Sequence, residues 1–500
     1  MMDMRDFFIG VDSGTQSTKA IVLDGETGKV LGKSSQTYGY VEGLPQGHLE
    51  QHPETWAHSM FTVIREAVKV SGVDGSKVRA IGVSGQQHGF VALDEGGLVI
   101  RPAKLWNDTS TVEECELLTE AMGGVDEVIR EVGLPFLPGY TAPKILWLKR
   151  HEPDNYAKLG HVLLPHNYLN YVLTGNMVME YGDASGTCLM DVRKREWSER
   201  VMDLIDPDLA SKLPSLLPSD TLVGNLREDV ADELHLSSDV VVSAGGGDNM
   251  MAAIGTGNTS PGQVTVSLGT SGTVYAYMDA PVVDPVGEVA AFCDSTNGWL
   301  PLICTMNVTV ASELIRDLFD YTHSDLDTAL TEAKVGSGGI LFLPYLTGER
   351  TPNMPSAKGV YYGLTPSNFT KRNLIKATVE GVTLGINYGL ERMRSLGINP
   401  SVIKLTGGGS NSEAWRQICA DVFCAEVVAL KESEGAAFGA TLQALWAYKR
   451  SLGEARSITS IVEQLVKVDE SSHLKPIKQN SDKYKKIQTH HNELREKIFT

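Results

Sequence analysis

The 500-residue sequence is poor in the features that usually assign a chain quickly. Its six cysteines, Cys115, Cys188, Cys293, Cys304, Cys419 and Cys424, are scattered, with no C-x-x-C pair and no zinc spacing. That argues against a disulfide framework or a structural zinc module and reads as reduced thiols in a cytoplasmic protein. No stretch approaches the roughly 18–20 uninterrupted apolar residues of a membrane span. The opening MMDMRDFFIGVD puts no basic segment ahead of a long apolar one, so no signal peptide is expected. Positive charge is scarce: 44 Lys and Arg against 62 Asp and Glu leave a net charge of −18. Neither nucleic acid nor an anionic membrane is expected as a partner.

Familiar catalytic signatures are missing too. No G-x-G-x-x-G opens a helix after a strand, and there is no G-x-S-x-G elbow and no H-E-x-x-H. GETGK at 25–29 is too short between its glycines for a P-loop, and Val30 follows the lysine where a hydroxyl residue is required. It reads as a hairpin turn.

What is present suggests two large domains, the default for this length. The chain is 42% hydrophobic and 21% charged, as soluble globular proteins are. Residues 7–11 and 20–23 read as strands and a third starts near residue 29, an antiparallel meander. A helix is expected over about 53–70, with Trp56, Met60 and Ile64 at helical spacing, and a buried strand over 78–84. Apolar strands and helices alternate thereafter, which means α/β.

One pattern repeats. IGVDSGTQSTKAIVL at 9–23 is echoed by VTVSLGTSGTVYAYM at 264–278: strand, then Asp/Ser-x-Gly-Thr, small polar residues, strand. Placed near the start of each half, the echo suggests two related domains meeting at a cleft. AGGGDNMMAAIGTGNTSPG at 244–262 is the natural crossover. The last thirty residues read as a charged, helical surface tail.

Three glycine-rich loops follow apolar runs: 12–19, SLGTSGT at 267–273 and TGGGSNS at 406–412. Each alone is better read as a turn. Together, two of them echoing, they suit a triphosphate held from both sides, because glycines let backbone N–H groups approach an anion. Asp12 beside such a loop is a candidate Mg²⁺ partner or an Asx turn. Asp248, after VVVSA, is a candidate general base for a hydroxyl or a helix N-cap. Gln87 and His88 in GQQHG could meet sugar hydroxyls, or His88 could be an ordinary interior histidine. Trp106, Asn107 and Asp108 form an aromatic platform with two polar groups, which suits a polyol or an ordinary loop. Glu349-Arg350 reads as a structural salt bridge.

DSGTQSTK, GQQHG, WND, GGGDN, SLGTSG, LPYLTGERTP and TGGGSNSEAWRQICAD occur in the order that resembles the FGGY carbohydrate kinases. GYTAPKILWLKRH (139–151) and GVYYGLTPSNFTKRNLIKATVEG (359–381) resemble the family's diagnostic segments, and the resemblance covers about residues 7–445. It implies an α/β fold of two actin-like, ribonuclease H-like domains with ATP in the cleft between them. Residues 1–250 would hold the sugar and the first phosphate loop. Residues 251–500 would hold ATP, with the charged helical tail starting near 470. The implied activity is ATP- and Mg²⁺-dependent phosphorylation of a sugar, with D-xylulose favoured by GHLEQHPETW, LWND and YGDASGT. D-Ribulose, gluconate or xylitol are the alternatives, and a sugar-independent actin-like ATPase is a more distant one. A homodimer is compatible with the resemblance.

Carried over residue by residue, the resemblance implies Asp248 as catalytic base, with Gln87, His88 and Asn249 contacting the sugar. It implies phosphate loops at Gly14, Thr15, Gln16, Ser17 and Lys19 and at Gly269 and Thr270. It implies an adenosine loop at Gly408, Gly409 and Ser412.

Overall fold

The structure is a computed structural model that describes residues 6–431 and 435–499. Its first sheet is built on β1 (Phe7–Ser13), β2 (Ser17–Asp24), β3 (Val30–Thr37), β4 (Val78–Gly85), β5 (Leu222–Asn225) and β6 (Val241–Ser243), in the order β5-β6-β4-β1-β2-β3. A short strand, β7 (Gly246–Gly247), pairs with the end of β4. The second sheet comprises β8 (Gln263–Leu268), β9 (Gly272–Ala276), β10 (Ala290–Cys293), β11 (Trp299–Thr305), β12 (Val402–Thr406) and β13 (Glu426–Ala429), in the order β10-β11-β9-β8-β12-β13.

The echo in the sequence is an echo in topology. β1 is antiparallel to β2 and parallel to β4, and β4 is parallel to β6. β8 is likewise antiparallel to β9 and parallel to β12, and β12 is parallel to β13. Each domain therefore opens with a hairpin whose first strand sits mid-sheet.

A mid-sheet strand is covered on both faces, which explains the nearly continuous apolar run of β1. Ile9 and Val11 pack with Trp56, Met60 and Ile64 of α1 (Pro53–Ser71) on one face. Phe8 points to the other face, against helices α2 (Asp248–Gly255) and α5 (Gly435–Ser451). In the second domain Val264, Val266 and Leu268 pack with Val379 and Val382 of α3 (Lys371–Ser395) and Trp415 of α4 (Glu413–Phe423).

The helix pair α2 and α5 is seated by glycines. A Cβ on Gly10 would lie 2.0 Å from the Ala437 carbonyl oxygen, and one on Gly82 2.0 Å from that of Ala440. A Cβ on Gly439 would lie 1.7 Å from the Met251 carbonyl oxygen. Backbone meets sheet and backbone meets backbone only because these side chains are absent. Thus α5, late in the chain, is part of the first domain's core.

The charged tail is a helix, α6 (Lys478–Phe499), but it is not merely laid on the surface. Tyr484 is buried and donates to Glu380 of α3 at 2.6 Å, and the buried His491 ring meets the Phe342 carbonyl at 3.1 Å. No helix among the described residues is long and apolar enough to cross a membrane.

Candidate active site

β1 carries Asp12 next to last, paired with Lys19 across the hairpin and with Ser84 of β4 on the other side. Asp12 is therefore a strand residue, not the start of an Asx turn, and the turn itself is only Gly14-Thr15-Gln16. Ser84 Oγ donates to Asp12 Oδ1 at 2.8 Å and fixes the carboxylate at the strand end.

The parallel pairing of β7 with β4 brings the next acid to the same end of the sheet. Gly247 is the N-cap of α2 and Asp248 its first residue, so Asp248 does not cap the helix. Its Oδ1 accepts from the Asn249 backbone N at 2.8 Å and from Asn249 Nδ2 at 3.1 Å. Asp248 opens onto the cleft on one side. Burial nevertheless pushes its pKa up to about 7, helped by the negative charge of Asp12 and opposed by the Asn249 bonds.

Asp12, Asp248 and Asn249 line one side of an interdomain cavity of about 680 Å³. Ser267, Thr273, Thr406, Gly408 and Asn411 line the other side, from the ends of the second sheet. Strand ends of both hairpins (Asp12 in the first, Ser267 and Thr273 in the second) and the third glycine-rich segment thus meet at one space, whereas Gly14–Ser17, Lys19, Gly269 and Thr270 do not line it. Asp12 and Asp248 lie close enough for the charge of one to disfavour ionisation of the other. Carboxylate oxygens beside polar loops are the hard donors that suit Mg²⁺ accompanying a polyphosphate.

Asn249 Nδ2 also donates to Gln87 Oε1 at 2.8 Å, which ties GQQHG to the acid. Gln87 Nε2 is buried without a protein partner, as a group reserved for a ligand would be, whereas the Nδ1 edge of the His88 ring packs on the Gly186 backbone. His88 holds φ 63°, and its ring stands edge-on to Tyr140 at 4.8 Å. Burial, with the charges of Lys144 and Arg350, holds its pKa well below the usual value, so the ring is neutral. Lys144 supports the turn by donating to the His88 carbonyl at 2.7 Å.

In the WND segment the three residues diverge. Trp106 Nε1 donates to Thr15 Oγ1 at 2.9 Å, joining the platform to the first hairpin. Asn107 Nδ2 donates to the Tyr40 hydroxyl at 3.1 Å, leaving Oδ1 buried and unpartnered. Asp108 is fully buried. It accepts from Lys104 Nζ at 3.1 Å and from the Leu49 amide at 2.9 Å, so its carboxylate braces the loop beneath Trp106.

The first hairpin is tethered from outside. The Thr15 carbonyl accepts from Gln51 Nε2 at 2.7 Å, while within the turn Gly14 N donates to the Ser17 carbonyl at 3.0 Å. Gln16 is exposed at its tip, and Ser17 and Lys19 lie partly buried along β2. In the second hairpin the Gly269 and Thr270 carbonyls accept from Thr309 and Val308. Of the adenosine-loop candidates, Gly408 lines the cavity, whereas Gly409 packs on Leu268 and Trp415. Ser412 caps α4, accepting from the Trp415 amide at 3.0 Å, and donates to Asp327.

The salt bridge expected within Glu349-Arg350 is replaced by something else. Glu349 Oε1 accepts from the Met306 and Arg350 amides at 2.7 and 2.9 Å. The Arg350 guanidinium lies instead over the Trp106 ring, 5.2 Å from its centroid. A neighbour in sequence lost to a partner in the other domain because the Glu349 carboxylate is consumed by its own loop. Sequence reasoning also passed over Ser84, Asn411 and Lys431, the last another residue lining the cavity. Asn411 sits inside the TGGGSNS loop without being singled out there. Ser84 and Lys431 lie in no motif with a spacing signal, although strand ends in α/β sheets are where ligand groups gather.

Known proteins are similar to this chain over most of its length. Residues 7–255 match the N-terminal domain, and residues 264–448 the C-terminal domain, of the FGGY family of carbohydrate kinases. The chain is 41% identical to a xylulose kinase of Haemophilus influenzae over 97% of its own length and all of that protein. It is 33% identical to a xylulose kinase of Bacillus subtilis, covering 96% of this chain and 95% of the other. Among solved structures, one described as a xyloylose kinase from Brucella ovis superposes with a TM-score of 0.90 at 30% identity, covering 98% of each chain. The chain belongs to the FGGY family of carbohydrate kinases.

Proposed function

We propose that this FGGY kinase transfers the γ-phosphoryl group of ATP to the terminal hydroxyl of D-xylulose, giving D-xylulose 5-phosphate. The likeness to xylulose kinases over nearly the whole chain supports the acceptor. Asp248, beside the cleft and bonded through Asn249 to Gln87, supports the chemistry and is the observation that carries it.

In this reading the sugar lies against Gln87, His88 and Trp106, and its hydroxyls satisfy Gln87 Nε2. Asp248 accepts the proton of the attacking hydroxyl as the oxygen closes on the γ-phosphorus. A carboxylate with a pKa of about 7 is a better base than an ordinary aspartate, and remains deprotonated often enough to act near neutral pH. The hairpins at Gly14–Ser17 and Gly269–Thr270 align the phosphates, and Gly408 leaves room for the nucleoside. Positioning of this kind supplies most of the rate enhancement in phosphoryl transfer. Asp12, held by Ser84, is the residue that would hold Mg²⁺, whose charge offsets that of the phosphates when bound. The cytoplasm, where ATP and Mg²⁺ are supplied, is the compartment this chemistry needs.

The test is initial-rate ADP release on D-xylulose, D-ribulose, gluconate and xylitol. D-Xylulose should give the highest kcat/KM. A higher value on another acceptor reassigns the substrate, and ADP release independent of any sugar, undiminished in Asp248→Ala, rejects the kinase reading.

A further inference from the structure

Arg350 is a charged residue of the second domain that reaches the proposed sugar site of the first, where Phe292 of β10 also packs against His88. Its loop is pinned at Glu349, which accepts backbone amides from Met306 and Arg350, and Asn307 Nδ2 donates to the Gly348 carbonyl at 2.8 Å. With the backbone anchored, the exposed Arg350 side chain crosses to the first domain. The guanidinium covers the Trp106 ring, and Nη2 approaches the Trp106 carbonyl at 3.4 Å. Gly139 makes room for this: a Cβ there would sit 2.1 Å from the Trp106 carbonyl oxygen and 3.6 Å from Arg350 Nη2. Trp106 in turn donates to Thr15 in the phosphate hairpin. Glu349, Arg350, Trp106 and Thr15 form a continuous path from the second domain, over the sugar platform, to the phosphate site.

We propose that Arg350 is a positioning residue that clasps Trp106 across the cleft and so couples sugar binding to alignment of the phosphate hairpin. The proposal rests on the kinase reading. An exposed cation on an indole face gains only about 0.5–1 kcal/mol, rising when a ligand excludes water. Such a contact is weak enough to open for substrate entry and stronger once sugar fills the space beneath it. The clasp holds the platform and Thr15 in register, so a bound sugar is retained beside the phosphate hairpin. Without it, water replaces the sugar hydroxyl more often.

The experiment compares wild type, Arg350→Ala and Arg350→Lys on whichever acceptor the wild type turns over best, so a wrong substrate assignment does not obscure it. Sugar KM, kcat and the ratio of ADP released to sugar phosphate formed are read. Arg350→Ala should raise sugar KM about tenfold, the effect of a partly desolvated cation–π contact, with kcat changed far less and ADP exceeding sugar phosphate. Arg350→Lys should recover part of both, since an ammonium also sits on an indole. An Arg350→Ala enzyme with wild-type sugar KM and one ADP per sugar phosphate overturns the proposal. So does Arg350→Lys behaving no better than Arg350→Ala, or a uniform loss of kcat with sugar KM unchanged. If the wild type phosphorylates no acceptor, the kinase reading itself has failed.

Discussion

The indole nitrogen of Trp106 donates to the hydroxyl of Thr15 at 2.9 Å, across 91 positions of sequence. It connects an aromatic platform to the tip of the hairpin that opens the chain. The two residues should therefore behave as one unit in catalysis.

Trp106→Phe and Thr15→Val should each lower kcat/KM. The double variant should lose less than the sum, with a coupling of about 1 kcal/mol, the worth of one partly buried hydrogen bond. A double-mutant cycle on kcat/KM measures it, and strict additivity would show that the bond carries nothing to the reaction.

Asp248→Asn keeps the shape and removes the base. We expect kcat to fall about 100- to 10,000-fold, the usual contribution of a positioned base. Sugar and ATP affinities, read by calorimetry, should stay within a few-fold. Retained kcat would remove Asp248 from the mechanism.

The raised pKa of Asp248 sets a pH dependence. The base works deprotonated, so kcat/KM should climb as pH rises through about 7 and level off above it. Asp12→Asn removes the nearby negative charge that disfavours ionisation. On its residual activity, the acid limb should move to lower pH. A limb that stays in place would mean that burial, with the charge of Asp183, sets the value without Asp12.

The same shift makes a stability prediction. The folded state holds the Asp248 proton up to about pH 7, whereas an unfolded aspartate releases it near pH ~4. Stability therefore declines as pH rises between those values, and the full cost persists above the upper one. Asp248→Asn, which resembles the protonated form, should melt higher than wild type at pH 8 and gain much less at pH 5. An equal gain at both would tie the effect to packing rather than charge.

Gly82→Ala should destabilise by about 3 kcal/mol or prevent folding, because its Cβ would meet the Ala440 carbonyl of α5 and backbone cannot yield as a side chain can. Gly39→Ala, whose Cβ meets nothing within 4 Å, should melt like wild type. Thermal melts of the two variants compare them directly.

Much of this was legible in the chain. The expected helix over about 53–70 is Pro53–Ser71, and the echoing hairpins are two sheets of matching connection. Local patterns suffice there, because strand and helix periodicity are set by near neighbours. Side-chain partnerships were harder. Asp108 looked available to a ligand but is held by Lys104, and Ser412 stands in a glycine-rich loop yet caps a helix. Glu349 and Arg350 looked like partners for each other, but their contacts go to the Met306 amide and to Trp106.

The sequence by itself determined the two-domain α/β plan, the repeated hairpin, the glycine-rich loops and the acids beside them, since each is a matter of residue type at short spacing. Only the tertiary structure decided that Asp12 and Asp248 share one cavity, that α5 belongs to the first domain's core and that Arg350 lies on Trp106. Those relationships depend on parallel strand pairing and on contacts between segments hundreds of residues apart. Parallel neighbours need long crossovers, so no local pattern encodes which strand ends will meet.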